Sequence, residues 1–229
     1  MLIGHYGAAL GLRSVSSAPP LWVLFLAVQV VDIAFFLLAP LGIEDLEFFP
    51  GVTGPLAMDL VSIPYTHSLL LNVVYAGVIL AIGVGVGHAR VGAILAAAFF
   101  SHWALDYLVH RPDLPLTPSE GTKVGLEWWS PTMLGLTVEL GVLAVGGALL
   151  YRTIMTASAR RTLVIILSAM AVVQVGYMLL PPLEPAWALA IAAQLLYAGL
   201  AGVAWWYERP AGAGGRSGAE QIPGAHEQR

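Results

Sequence analysis

Arg90-Val-Gly-Ala-Ile-Leu-Ala-Ala-Ala-Phe-Phe-Ser-His102-Trp-Ala-Leu-Asp106-Tyr-Leu-Val-His110 is the stretch that decides the fold class. Residues 91–100 carry no polar side chain. With the aromatic and aliphatic positions that follow, the segment has the length needed to cross about 30 Å of hydrocarbon, which takes about 20 residues. The same segment places His102, Asp106 and His110 at i, i+4 and i+8, on one helical face. Ionisable groups in a membrane span are costly and need a partner or a role. One short segment therefore predicts both a membrane helix and a buried polar face.

Five more stretches read the same way. The expected spans are about 20–41, 64–87, 90–110, 131–151, 162–180 and 186–206. Ala18-Pro19-Pro20 precedes the first, Pro64 opens the second, Pro131 opens the fourth, and Pro181-Pro182-Leu183-Glu184-Pro185 separates the last two. Proline suits a first helical turn because its missing N–H would be unpaired there. Composition agrees: 58% of residues are hydrophobic and 10% charged, against about 25% charged in soluble domains, and the mean hydropathy is +0.80. The expectation is an all-α polytopic membrane bundle over residues 1–207. A net charge of −4 without a basic stripe argues against nucleic acid as a partner. With no cysteine, thiolate metal sites, disulfides and a cysteine nucleophile are excluded, so any metal falls to His, Asp and Glu.

Arginine and lysine set the orientation. Arg13, Arg90, Arg152, Arg160, Arg161 and Arg209 fall on one side, with Arg216 and Arg229 in the tail, and only Arg111 and Lys123 fall on the other. Both termini are expected in the cytoplasm and the 42–63 and 111–130 loops outside. Residues 1–12 are too short to span and read as an interfacial or re-entrant segment. They do not read as a cleaved signal, since Arg13 follows the apolar stretch. Residues 208–229 read as a disordered tail.

The ionisable residues within spans are few: Asp32, His67, His102, Asp106 and Glu139, with His110 closing the third span. At ~1.5 Å per residue all lie in the outer half of the bilayer. His and Asp on one face suit zinc or a similar divalent ion, and suit equally a carboxylate that orients a ligating histidine. A structural hydrogen bond between helices is the alternative, and Glu139 reads more as a structural or proton-handling group. Spans five and six look like scaffold. Glu44, Asp45 and Glu47 read as a solvated acidic loop, and His88 and His226 as exposed. Trp128, Trp129, Trp205 and Trp206 read as interfacial anchors. Glycines such as Gly83, Gly85, Gly87, Gly141, Gly146 and Gly147 read as close helix-packing positions.

Gly4-His5, Asp32, Pro64-Tyr65-Thr66-His67-Ser68-Leu69, Ser101-His102-Trp-Ala-Leu-Asp106 and His110-Arg111-Pro112-Asp113-Leu114-Pro115-Leu116, in this order, resemble the bacterial inner-membrane metal-dependent hydrolases of the YdjM-like family. The resemblance implies a membrane-embedded divalent metal site with His5, Asp32, His67, His102 and Asp106 as ligands, and hydrolysis of a phosphoester. Two motifs depart from the family. Its Pro-Asp-x-Asp reads Val31-Asp32-Ile33-Ala34 here, one carboxylate fewer, and its His-Arg-Gly before Thr-His-Ser reads Ser62-Ile63-Pro64-Tyr65. His5 reaches the cluster only if residues 1–12 dip into the bundle, which buried backbone permits.

The expected activity is metal-dependent hydrolysis of a lipid or phosphoester near the outer leaflet. Asp32 or Glu139 would take the proton and Arg111 would steady an anionic headgroup. A proton or ion carrier built from the same groups is one alternative. An accessory subunit with partner membrane subunits is another.

Overall fold

A computed structural model describes residues 1–49, 54–119, 121–130 and 132–209. Residues 210–229 of the tail, with Arg216, Arg229 and His226, on which the expectation of disorder falls, and the Pro131 boundary lie outside the described residues. The chain folds into eight α-helices among these residues: α1 Gly4–Val15, α2 Leu21–Ala27, α3 Val30–Leu38, α4 Leu69–Gly85, α5 Ala89–Val109, α6 Thr132–Thr153, α7 Ala157–Leu179 and α8 Ala186–Tyr207. Two small antiparallel ribbons add the only described sheet: β1 Asp45–Phe48 with β2 Met58–Ser62, and β3 Leu114–Pro115 with β4 Lys123–Val124.

Helices α5, α6, α7 and α8 are each long and apolar enough to cross a membrane. The surface supports that solvent. Val73, Val78, Ile82, Val164, Ile165, Val172, Ile191 and Leu195 point outward, whereas His5, Gln29, Glu44, His67, Asn72, His102, Asp106, Glu139 and Gln174 are buried. In water that arrangement would expose the apolar residues and strand the polar ones.

Two expected spans take a different form. The first is broken into α2 and α3, which with the turn to Leu41 are bent by 48°. No proline or glycine lies at Val28-Gln29; instead the Val28 carbonyl accepts a hydrogen bond from His102 Nδ1. A side-chain donor inserted at a helix carbonyl is a recognised cause of such bends. The second is shortened. Pro64 does not open it; Ser68 caps it, its hydroxyl accepting from Leu71 N–H, so that Pro64–His67 form a turn ahead of α4 and His67 lies outside the helix. That leaves α4 with 17 residues.

The N-terminal segment forms a helix inside the bundle. Helix α1 is buried over its amino-terminal half, from Gly4 to Leu10, and packs on α6. Its carboxyl end meets the arginine-rich end of the bundle, where Arg13 pairs with Glu208 and Arg90 donates to Val15. Its amino end lies inside the bundle, not at that face. Close approach explains the glycines there: a Cβ on Gly146 would meet the Gly7 carbonyl, and one on Gly7 the Val142 carbonyl. Gly83 and Gly92 bring α4 and α5 together in the same manner, whereas Gly85, Gly87 and Gly141 face nothing within 4 Å.

Candidate metal centre

His102 and Asp106 stand one turn apart on α5, and their facing atoms, Nε2 and Oδ2, are 3.0 Å apart. Around them the fold gathers the other candidates. His67 Nε2 is 3.8 Å from Asp106 Oδ2 and 3.6 Å from Asp32 Oδ1, and His102 Nε2 is 3.5 Å from the same Asp32 oxygen. His5 Nε2 lies 3.2 Å from Asp106 Oδ1, with its ring stacked on His102 at 3.8 Å. The Met1 amino group also pairs with Asp106. All five residues expected as ligands therefore converge. Two overlapping triads, His5–His102–Asp106 and Asp32–His67–His102, each keep their ligand atoms within 4.8 Å of one another.

The histidines are set up to present a lone pair. His102 Nδ1 meets the Val28 carbonyl at 2.7 Å; a carbonyl only accepts, so Nδ1 carries a hydrogen, and in the neutral imidazole Nε2 is then bare. Thr66 donates its hydroxyl to Glu44 at 2.6 Å, so its oxygen accepts from His67 Nδ1 at 2.7 Å, and in the neutral ring His67 Nε2 is bare as well. His110 Nδ1 donates to Asp113 Oδ1 at 3.0 Å, which turns its Nε2 toward Asp106 Oδ1 at 3.7 Å. Outer partners of this kind are how ligating imidazoles are held and made more basic. Bare nitrogens facing carboxylates repel unless a cation or proton lies between them. His102 Nε2, Asp106 Oδ2 and both His5 ring nitrogens are buried without a hydrogen-bond partner. Those orphaned atoms fit a metal ion, since imidazole nitrogen and carboxylate oxygen are the donors that zinc and similar ions take. No protein-family model, curated protein or solved structure matches the chain. Geometry alone carries the assignment of the centre.

Neighbouring groups hold the cluster in place. Trp103 Nε1 donates to the His67 carbonyl, and Asn72 donates to the carbonyls of Thr66 and Ser68. Glu44 is not a solvated loop residue. It is fully buried and accepts from the N–H groups of Tyr65 and Thr66 besides the Thr66 hydroxyl. Asp45 and Glu47 belong to β1. Spans five and six also contribute: Tyr197 on α8 donates to Asp32 Oδ2 at 3.2 Å, and Gln174 on α7 accepts from Ile3 N–H at 3.2 Å. A signal for these two existed in the sequence, because buried tyrosine and glutamine in a span need partners.

The remaining candidates have other surroundings. Glu139 accepts from Leu2, Gly4 and Trp129 Nε1, and so anchors the first turn of α1. Trp129 is accordingly a partner of Glu139 and of the His110 ring, 4.7 Å away, more than an interfacial anchor. Arg111 donates to the carbonyls of Leu56 and Met58 and lies 3.7 Å from Asp59, which ties the 111–130 segment to the 42–63 segment. Lys123 does the same through the Val61 carbonyl.

A cavity of about 450 Å3 opens onto the cluster. Asp32, His67 and His110 lie at its polar end, Phe35, Phe36, Leu189 and Leu196 are among its apolar walls, and Arg111, Asp113 and Glu127 also line it.

Replacing Thr66 by valine removes the hydroxyl between Glu44 and His67 at nearly constant volume. Metal affinity is expected to fall roughly 10–100-fold, the usual cost of losing an outer partner, with Thr66→Ser close to wild type. Competition titration with a chelating dye measures it; equal affinities for the valine and wild-type proteins would remove the orienting role.

Proposed function

We propose that this chain is a divalent-metal-dependent hydrolase of the bacterial inner membrane, related to the YdjM-like proteins it resembles, and that it cleaves an ester or phosphoester of a lipid near the outer leaflet. We further propose six crossings, with α2–α3 as one bent span and α4 as a short one, and the arginine-rich end in the cytoplasm. The observation that carries the reading is the convergence of three imidazoles and two carboxylates beside a cavity large enough for a ligand, which Asp32 and His67 line.

His67, His102 and Asp106 would hold the ion, with His5 completing the set and Asp32 beside it. A divalent ion supplies Lewis acidity, polarising the scissile group and acidifying water. The protein's own groups account for the rest. Asp32 is the carboxylate of the cluster that also lines the cavity, so it takes the proton as the water oxygen bonds to the acyl carbon or phosphorus. The ester bond to the leaving oxygen breaks, and that oxygen receives a proton in return, so one water is consumed per bond cleaved. Tyr197 holds Asp32 Oδ2 and leaves Oδ1 turned to the histidines. Zinc is the ion best matched to this His/Asp set.

The test is metal content and activity together. Purified full-chain protein is expected to carry stoichiometric divalent metal, and His102→Ala and Asp106→Ala none. Chelation should abolish cleavage of a fluorogenic phospholipid panel, and added zinc should restore it. Wild-type protein without stoichiometric metal would overturn the proposal, and metal that survives both substitutions would overturn the ligand assignment.

A further inference from the structure

Helices α7 and α8 are joined only by residues 180–185, yet they touch at few points. Antiparallel helices with so short a connection ordinarily pack along their length. Here α7 packs on α6, and α8 on α2 and α3, which leaves a gap between α7 and α8 that forms one side of the cavity. Small residues stand among those that line it, Gly176 on α7 and Ala192 and Ala193 on α8, beside larger ones such as Val173, Tyr177, Leu189 and Leu196. Both helices are candidate membrane spans with outward aliphatic faces, so the side of the cavity between them adjoins hydrocarbon.

The cavity lining is mostly apolar. Asp32, His67 and His110 share it with an apolar wall that includes Phe36, Leu189 and Leu196. A water-soluble phosphoester would leave that wall without a partner, and each buried CH2 of a hydrocarbon chain is worth about 0.8 kcal/mol. We infer that the substrate is a lipid bearing an acyl chain, which enters sideways between α7 and α8 and lays its chain along this wall, so that the bond to the head end reaches Asp32 and His67. The occupant's role as substrate rests on the hydrolase reading; the chain seat itself rests on the cavity. Gly176 lines the seat from α7. A Cβ built there meets only Leu180 Cδ1, at 4.0 Å, so the backbone has room for a side chain at this position.

The experiment uses the full chain in phosphatidylethanolamine–phosphatidylglycerol vesicles containing phosphatidylglycerol with a diazirine on one acyl chain. After photolysis, labelled positions are mapped by peptide mass spectrometry. Val172 and Leu195, which face outward, report contact with bulk lipid. In wild type, label is expected at these two and also at Phe36 and Leu196 inside the cavity. In Gly176→Phe and Ala192→Phe the inner label should fall roughly tenfold or more, the scale on which an apolar pocket discriminates by size, while the outer label persists. Wild-type protein labelled only on its outer face, or inner label unchanged in both filled variants, overturns the inference. Metal content is measured on the same samples. Inner label without metal leaves the chain seat standing and removes the hydrolase, and metal without inner label does the reverse.

Discussion

Glu139→Ala is expected to lower the unfolding free energy by about 3 kcal/mol or more, since each buried donor left without an acceptor costs roughly 1–3 kcal/mol. Three donors depend on this carboxylate: the N–H groups of Leu2 and Gly4 and the Trp129 indole. The first two belong to the entry of α1, where a helix has no internal acceptors for its N–H groups. Inside a membrane bundle water does not replace them. Glu139→Gln keeps one accepting oxygen and should lose less than half as much. Thermal unfolding in one detergent, with all three proteins side by side, measures the difference. If the alanine variant unfolds with wild type, Glu139 does not anchor α1, and a proton-handling role regains force.

Gly146→Leu is expected to be as severe by a different route. The new side chain would meet the Gly7 carbonyl, a backbone atom that cannot rotate away. Overpacking against flexible side chains costs about 1–3 kcal/mol; against backbone, α1 must move off α6. His5 then leaves the cluster, and the Met1 and Leu2 contacts to Asp106 and Glu139 go with it. Bound metal should fall below one ion per chain. Gly141→Leu, on the same helix with nothing within 4 Å of its Cβ, is the control and should bind metal as wild type does. Full metal occupancy in Gly146→Leu would show that α1 is dispensable to the centre.

The composition and the placement of proline marked out the long helices well. Residues 181–185 do separate α7 from α8, and α5 and α6 begin and end within two residues of the expected limits. The His102–Asp106–His110 face was legible for the same reason: side chains four apart on a helix meet whatever surrounds it. Glu44 was not legible. An acidic residue beside two others reads as solvated, and nothing near it in sequence shows that Tyr65 and Thr66, about twenty residues on, will turn their N–H groups to it. The bend in the first span was hidden as well. Its partner is His102 on another helix, and neither proline nor glycine announces it. Tyr197 and Gln174 were passed over because they carry no charge, although in hydrocarbon an uncharged polar group also needs a partner.

The span of Arg90 to His110 shows where the two kinds of information divide. Its length and apolar run made it a helix able to cross a membrane, and its period put two imidazoles and a carboxylate on one face. Both follow from local rules of hydrophobicity and helical geometry, which the sequence contains entire. Which nitrogen of His67 and of His102 faces the cluster, that His5 returns from the far end of a half-length helix, and that a cavity reaches Asp32 and His67 were decided by tertiary structure. Those features depend on donors and acceptors brought together from distant parts of the chain, and only packing chooses among the partners a polar group can find.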